Sequence, residues 1–201
     1  MGHSLAMASR SPVSRFSPLT PNELELVLRW RNQPHIRQNM HNPETIAWAQ
    51  HEMWFGALEN DANRDFFVFY QNDRPIGVLN FSEHQSTPYT LEWGCYIGED
   101  DVWPGSGLLL EIAALQYALN IKDAEVLYAE VLSFNKSVIK LHTLFQYTAL
   151  EDGNTFERDK EKHTVKRFEY KREQWQQNKQ KVLSRLPKQI SNAANFIQFD
   201  L

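Results

Sequence analysis

Asp101-Val102-Trp103-Pro104-Gly105-Ser106-Gly107 is the stretch on which the reading of this chain turns. It stands between an alternating apolar run, Tyr89 to Ile97, and a segment in which Leu108, Ile112, Leu115 and Leu119 recur at helical spacing. Gly105 and Gly107 at a strand-to-helix junction let successive main-chain N–H groups converge on an anion, and the helix start adds partial positive charge. The same pair equally suits a tight turn that lets helix and sheet approach each other. The stretch is not a P-loop, because no Gly-Lys-Ser/Thr follows, and a Gly-x-Gly-x-x-Gly fingerprint fails at Leu110.

Upstream, Leu91, Trp93, Cys95 and Ile97 alternate with Glu92, Gly94 and Tyr96, the period of a strand. Before it, Phe66 to Tyr70 and Pro75 to Phe81 flank Asn72-Asp73-Arg74, a hairpin signature. Thr20-Pro21-Asn22-Glu23 predicts a capped helix through about Trp30, and Asn42-Pro43-Glu44 predicts a second one to about Leu58, with Ile46, Gln50, Met53 and Ala57 on one stripe. Downstream, Glu125 to Leu132 reads as a strand, Asn135 to Phe145 as a short helix, and Thr164 to Tyr170 as a last strand. Residues 1–19 read as a leader or a remnant of expression, outside the fold, with residues 176–201 as a polar helix or tail. The domain then spans 20–175.

Composition bounds the function. The 201 residues suit one domain; 42% are hydrophobic and 23% charged, an ordinary globular balance. The net charge of −4 argues against a nucleic-acid partner. The one cysteine, Cys95, forbids an internal disulfide and any zinc site built on several cysteines. No apolar run reaches the ~20 residues that span a bilayer, so no membrane role is expected and a reducing cytoplasm fits. Residues 158–188 gather 11 Lys and Arg against four acids. That excess reads as a solvated edge strand and terminal helix, with phosphate docking the alternative.

Val102 to Gly107 resembles the acyl-CoA loop of the GCN5-related N-acetyltransferase (GNAT) superfamily, Arg/Gln-x-x-Gly-x-Gly/Ala, with Val102 in place of Arg or Gln. Asn135-Lys-Ser-Val-Ile-Lys-Leu-His-Thr-Leu-Phe-Gln-Tyr147 is similar to the family's Asn-x-x-Ala-Ile-x-Leu-Tyr-x-x-x-Gly-Phe, with His142 for tyrosine and Gln146 for glycine. The resemblance covers residues 22–172. It implies an α/β (α+β) fold with a mixed, mostly antiparallel sheet splayed between its fourth and fifth strands and flanked by helices. Gly94 suits a bulge in the fourth strand. It also implies acetyl-CoA as donor, held by Ile97, Trp103, Pro104, Gly105, Ser106, Gly107, Asn135 and Lys140, direct transfer to an amine without a metal, and tolerance of homodimers. A narrower likeness, Leu26 to Arg37 with Met40, His41 and His51, is to the UDP-4-amino-sugar N-acetyltransferases of pseudaminic acid biosynthesis, which serve flagellin glycosylation. The acceptor it implies is the 4-amino group of a UDP-linked 4-amino-4,6-dideoxy-N-acetyl-altrosamine.

Roles follow from chemistry. The attacking amine must be neutral, and the departing thiolate takes a proton or a hydrogen bond. Glu92 is the candidate base and His142 the candidate acid. Arg31, Met40, His41, His51 and Tyr96 are the candidate acceptor contacts. Against each stands a plainer reading: Glu92 binds substrate or pairs with a cation, His142 is simply hydrogen-bonded, Arg31 makes a surface ion pair, and Met40 fills a gap. Cys95 belongs to the apolar set and packs. Rival functions are acetylation of a ribosomal-protein N-terminal alanine or of a polyamine, and a noncatalytic acyl-CoA-binding module.

Overall fold

The computed structural model describes residues 11–201. Ser14–Pro18 forms β1, followed by a 3-10 turn at Pro21–Glu23 and α1 (Leu24–Arg31). The capping box is as the sequence predicts: the Thr20 hydroxyl accepts from the Asn22 N–H, and Thr20 N–H donates to Glu23 Oε2 at 3.1 Å. Pro34 does not merely interrupt; it opens a four-residue helix, α2 (Pro34–Arg37), as a first-turn proline. α3 (Trp48–Glu59) follows, then β2 (Arg64–Gln71), β3 (Arg74–Ser86) and β4 (Tyr89–Ile97). Asn72 and Asp73 both take positive φ, +48° and +65°, which makes the two-residue turn that matches the strands' right-handed twist.

α4 (Ser106–Gln116) continues into a π-helical turn, Tyr117–Ile121, and the chain goes on through β5 (Val126–Leu132), α5 (Lys136–Leu144), β6 (Thr148–Ala149), β7 (Thr155–Arg158), β8 (Glu161–Lys171), α6 (Arg172–Arg185), α7 (Lys188–Ala194) and β9 (Ile197–Phe199). The sheet order is β6-β8-β5-β4-β3-β2-β1-β9, with β7 on β8. It is mixed and mostly antiparallel, with β4–β5 and β1–β9 the parallel pairs. Alternate residues face opposite layers. Phe67, Phe69, Leu79, Phe81, Leu91 and Trp93 pack with α4, α6 and α7, whereas Val68 and Val78 pack with α1 to α3.

β4 and β5 pair only at Thr90↔Val126, Leu91↔Leu127 and Glu92↔Tyr128. Beyond Glu92 the two strands diverge, β4 staying with β3 and β5 with β8, so the sheet is parted as the resemblance implies.

Five expectations are corrected. The leader ends earlier than residue 19: Ser14 and Phe16, both fully buried, put β1 inside the sheet. Residues 1–10, with Gly2-His3-Ser4, lie outside the described residues. The tail is not polar appendage, since Val182, Leu186, Ile190, Ala193 and Ala194 join the main core and β9 pairs with β1. The second helix starts at Trp48, not near Pro43. Asn32 holds Ile46 extended by accepting from its N–H at 2.8 Å and donating to its carbonyl at 2.9 Å, so His51 and Phe55 become the buried face and Met53 turns outward. Finally, Gly94 pairs in regular register with Asn80; the irregularity lies on the partner strand, between Glu83 and Gln85. Nor is the basic β8 an edge for its full length, because β5 and β6 flank it.

Candidate active site

The gap between β4 and β5 is the floor of a cavity of about 1140 Å³. Its walls include Glu92 to Ile97 of β4, Ala129 to Leu132 of β5, Gly107, Leu110 and Glu111 of α4, and Asn135, Leu141 and His142 of α5. The other side is closed by Arg31, Met40, His41, His51 and Trp54. Because side chains alternate along β4, Glu92 and Tyr96 face the α1–α3 side while Trp93 and Cys95 face α4 and α5. Only where the strands part can one molecule touch both sides.

The α4 end of the cavity is built from main chain. Gly105 has φ +107°, a region that disfavours side chains, and a Cβ there would run into Ile190 Cδ1 of α7. At Gly107 a Cβ would meet nothing within 4 Å, so the surface there is open. The Ser106 N–H donates to the Trp103 carbonyl at 3.1 Å and its hydroxyl is turned into the core, 2.9 Å from Gln71 Oε1. Pro104 has no N–H. Among the described residues, the N–H groups of Gly105, Gly107 and Leu108 have no main-chain acceptor, and these are the donors an anion meets at the start of α4. Of residues 104–107, then, only Gly105 and Gly107 present an N–H without a main-chain acceptor, and Leu108 adds a third. Trp103 packs against the core beside Gly105, Ile97 and Asn135 line the cavity, and Lys140 stands exposed on the outer face of α5, outside the lining.

His142 is 1% exposed, and its ring is packed by Tyr147 at 4.5 Å, Phe168 at 5.1 Å and Trp93 at 5.7 Å between centroids. Tyr147 reaches it through the way α5 ends: Gln146 takes φ +67°, its N–H donates to the Thr143 carbonyl, and the Tyr147 N–H donates to His142 O at 3.0 Å, the pattern of a Schellman cap. Gln146 therefore occupies the left-handed position that glycine favours. Nδ1 of His142 lies 2.9 Å from Oε1 of Glu111, a residue that sequence spacing did not single out. Burial pushes the Cys95 thiol far up and Tyr147 likewise, in each case reinforced by the Glu111 charge, so both stay protonated.

Glu92 stands at the last paired position before the strands part, with Oε2 3.3 Å from His84 Nδ1. His84 comes from the irregular stretch of β3 and stacks on Tyr128 at 4.2 Å. Burial also drives the Tyr96 hydroxyl up, against the opposing pull of Arg31, so it is neutral and available as a donor.

Arg31 donates through Nη2 to the Asn42 carbonyl at 2.9 Å, while Nη1, buried, has no partner. Among the described residues no carboxylate lies within ion-pair distance of it. Desolvation lowers its pKa, Tyr96 raises it and the nearby Arg37 lowers it again. Arg37 is tied to the Pro43 carbonyl at 2.9 Å and leaves Nε unpartnered. His41 Nε2 is 3.5 Å from Glu130. His51 is 4% exposed with Nε2 2.9 Å from the Leu24 carbonyl, and burial lowers its pKa; it props α1 as well as lining the cavity. The loop that carries Met40 is fastened from afar by Arg158 of β7, which donates to the carbonyls of Gln38 at 2.6 Å, Met40 at 2.9 Å and His41 at 3.2 Å.

Residues 15–145 match the acetyltransferase (GNAT) domain family. The chain belongs to that family. It is 29% identical over 144 residues, 72% of this chain and 88% of the relative, to the acetyltransferase PseH of Campylobacter jejuni. The crystal structure of that PseH matches with a TM-score of 0.56 at 20% identity, over 80% of this chain and 99% of the other. Apo FdhC, a nucleotide-linked sugar GNAT, matches at 0.68 with 15% identity over 84% and 92%. Spermidine N-acetyltransferase from Vibrio cholerae, in complex with CoA and spermine, matches at 0.72 with 17% identity over 82% and 98%. This chain is therefore an N-acetyltransferase of the GNAT type.

The residues predicted from sequence gather well: Glu92, His142, Arg31, Met40, His41, His51, Tyr96, Ile97, Gly107 and Asn135 all line one cavity. Spacing missed Glu111, His84, Arg158 and Leu108. A signal existed for Glu111, the lone charge within an otherwise apolar helical run from Leu108 to Leu115. None existed for His84, which meets Glu92 through the irregular register of the β3–β4 hairpin, or for Arg158, whose partners are backbone carbonyls about 120 residues away.

Among the described residues no group of three His, Cys, Asp or Glu side chains could hold a metal, and no helix is long and apolar enough to cross a membrane.

Proposed function

We propose that the enzyme transfers acetyl directly from acetyl-CoA to the 4-amino group of a UDP-linked 4-amino-4,6-dideoxy-N-acetyl-altrosamine, the acetylation step of pseudaminic acid biosynthesis. The observation that carries this reading is Arg31, a half-buried guanidinium that lines the cavity with Nη1 unsatisfied, together with Arg37 behind it, outside the lining, with Nε unsatisfied; neither has a carboxylate partner among the described residues. Buried cations of like sign repel unless an anion joins them. A diphosphate supplies that anion, and guanidinium forks suit it. The likeness of Leu26 to Arg37, with Met40, His41 and His51, to the UDP-4-amino-sugar N-acetyltransferases supports the same acceptor. A polyamine would leave both guanidinium groups without an anion, whatever it gained from Glu44, Glu92 and Glu130, which also line the cavity.

In this reading the glycine turn and the first amides of α4 hold the coenzyme's diphosphate, and the exposed edge of β4 aligns its pantetheine arm. The thioester then lies where the strands part, with Glu92 on the acceptor side and His142 on the other. Glu92, with His84 as a polar neighbour, takes the proton from the amine directly or through water; His142 protonates the thiolate as the carbon–sulfur bond breaks. Arg31, Met40, His41 and Tyr96 frame the sugar nucleotide, with His51 backing them as scaffold, and the cytoplasmic pool of such nucleotides would place the enzyme there.

The test is mass spectrometry of the purified chain with acetyl-CoA and three acceptors: the UDP-4-amino sugar, spermidine and an alanine-headed ribosomal-protein peptide. A gain of one acetyl group on the sugar nucleotide, with Arg31→Met raising its KM at least tenfold, is expected. Acetylation of spermidine or peptide alone would reject the acceptor. Coenzyme A binding without turnover on all three would favour a noncatalytic acyl-CoA module.

A further inference from the structure

α4 is apolar on every side from Leu108 to Leu115 except for Glu111, whose side chain is 3% exposed. Its Oε1 stands 2.9 Å from Nδ1 of His142, whose side chain is 2% exposed. The carboxylate approaches off the direction of the ring N–H, so Nδ1 and Oε2 both lack a hydrogen-bond partner. Catalytic contacts in enzymes without substrate are often misaligned in this way and straighten when substrate closes the site. Burying a carboxylate costs several kcal/mol, and a poorly hydrogen-bonded pair recovers little of it, so stability gives no reason for Glu111 to be there. Function does, because the partner ring lines the reaction cavity.

The surroundings of the ring are otherwise uncharged. Trp93 and Cys95 face it from β4, Phe168 and Tyr170 from β8, and Tyr147 from the end of α5. Desolvation raises the Cys95 thiol and the Tyr147 and Tyr170 hydroxyls, so none of them ionises near neutrality. Glu111 is then the one charge these elements bring against His142.

We infer that Glu111 is a positioning residue for acetyl transfer: it keeps a proton on Nδ1 of His142 and supports the imidazolium, so that Nε2 is the atom offered to the departing sulfur. The inference rests on the reading of His142 as the acid. In the step, the amine nitrogen bonds to the carbonyl carbon and the carbon–sulfur bond breaks with its electron pair on sulfur. Sulfur takes the Nε2 proton, and the surplus proton of the amine leaves to Glu92. His142 is left neutral with its proton on Nδ1, facing Glu111, and regains the other from solvent before the next turnover. A carboxylate behind a histidine fixes tautomer and orientation in the same way in hydrolytic triads.

The experiment compares the native full chain with Glu111→Gln, both labelled with 15N-histidine, by long-range proton–nitrogen spectra at about pH 8, where a histidine with an ordinary pKa of about 6.5 is mostly neutral. His142→Gln identifies the resonance, and kcat is followed against pH in parallel. The native ring is expected to carry its proton on Nδ1, and the Glu111→Gln ring to shift towards Nε2. The basic limb of kcat is expected to move about one pH unit lower, roughly a tenfold loss on that flank, with the KM for acetyl-CoA little changed. Identical tautomers in the two proteins would overturn the inference. A tautomer change with an unmoved limb would uphold the pairing and defeat His142 as the acid, so the two failures are told apart. Should Glu111→Gln not fold, the native spectrum decides, since an Nε2-protonated neutral ring contradicts the role; Glu111→Asp, which keeps the charge, is expected to retain the native limb.

Discussion

The two sides of the parted sheet are made from different material. On the α4 and α5 side the contacts offered are main-chain amides at a helix start and one buried ring, set by a glycine turn and a helix cap. On the α1 to α3 side they are side chains drawn from α1, the loop after α2, α3 and β4, and that loop has no regular hydrogen bonding from Asn42 to Ala47. It is held by Arg31, Arg37, Asn32 and Arg158 reaching to its carbonyls from elsewhere. Backbone recognition suits a ligand that never changes, and side-chain recognition suits one that differs between relatives. The donor side therefore follows general rules of chain geometry, whereas the acceptor side depends on this chain's particular pairings.

The sharpest break between the two sides is expected from His142→Ala. Loss of a general acid costs 10²–10⁴ in rate, and the α4 amides proposed to hold the coenzyme are untouched, so kcat should fall on that scale while acetyl-CoA affinity, measured by calorimetry, changes less than threefold. An unchanged kcat would remove His142 from the chemistry. Next in size is Gly105→Ala. A methyl group at φ +107° is strained by about 1 kcal/mol or more, and it also collides with Ile190, so either the turn or α7 must move. Acetyl-CoA affinity should fall about tenfold with a lower Tm, and the acceptor KM should hold. Equal losses for both ligands would show that the sides are not separately built.

Arg158→Ala tests the opposite side. It removes three charge-assisted donors from the carbonyls of Gln38, Met40 and His41, contacts worth about 1.5–3 kcal/mol each when desolvated and less at this half-exposed site. Steady-state kinetics should show the acceptor KM rising about tenfold, with the KM for acetyl-CoA and kcat within a factor of three. A rise in the donor KM instead would mean the hairpin of β7 and β8 serves the coenzyme.

What could be read from sequence follows the same division. The strands from Phe66 to Ile97, the glycine turn, α4 and α5 were legible because periodicity, turn residues and caps are local signals. Strand alternation and helix spacing gave the faces of Glu92 and His142, and the family resemblance supplied the cleft between them. The start of α3 was not legible, because Asn32 captures Ile46 from 14 residues away. β1 and β9 escaped because short strands of three to five residues carry too little pattern, and their burial depends on pairing with each other across nearly the whole chain. Composition alone gave no sign of the left-handed conformation of Gln146, which glutamine rarely adopts; only its place at the family's glycine position pointed there.

The smallest expected effect concerns His51, which belongs to the acceptor side yet behaves as part of its scaffold. Its ring nitrogen meets the Leu24 carbonyl at 2.9 Å and its ring stacks on Trp54 at 5.1 Å. Desolvation lowers its pKa below the ordinary 6.5, outweighing the carbonyl, which raises it. The unfolded chain therefore binds a proton at this residue more readily than the folded one, and folding stability rises with pH across that window. The contribution is complete above 6.5 and is lost as pH falls from there through the folded-state value. His51→Gln, which keeps a donor for the Leu24 carbonyl but does not titrate, should flatten the decline in Tm between about pH 6.5 and 5. It should leave kcat for the acetyl transfer near native at pH 8. If the decline is as steep in the variant, the acid sensitivity originates in another group. If instead kcat collapses at pH 8, His51 touches the acceptor, and the boundary between scaffold and binding surface must be redrawn one residue deeper into α3.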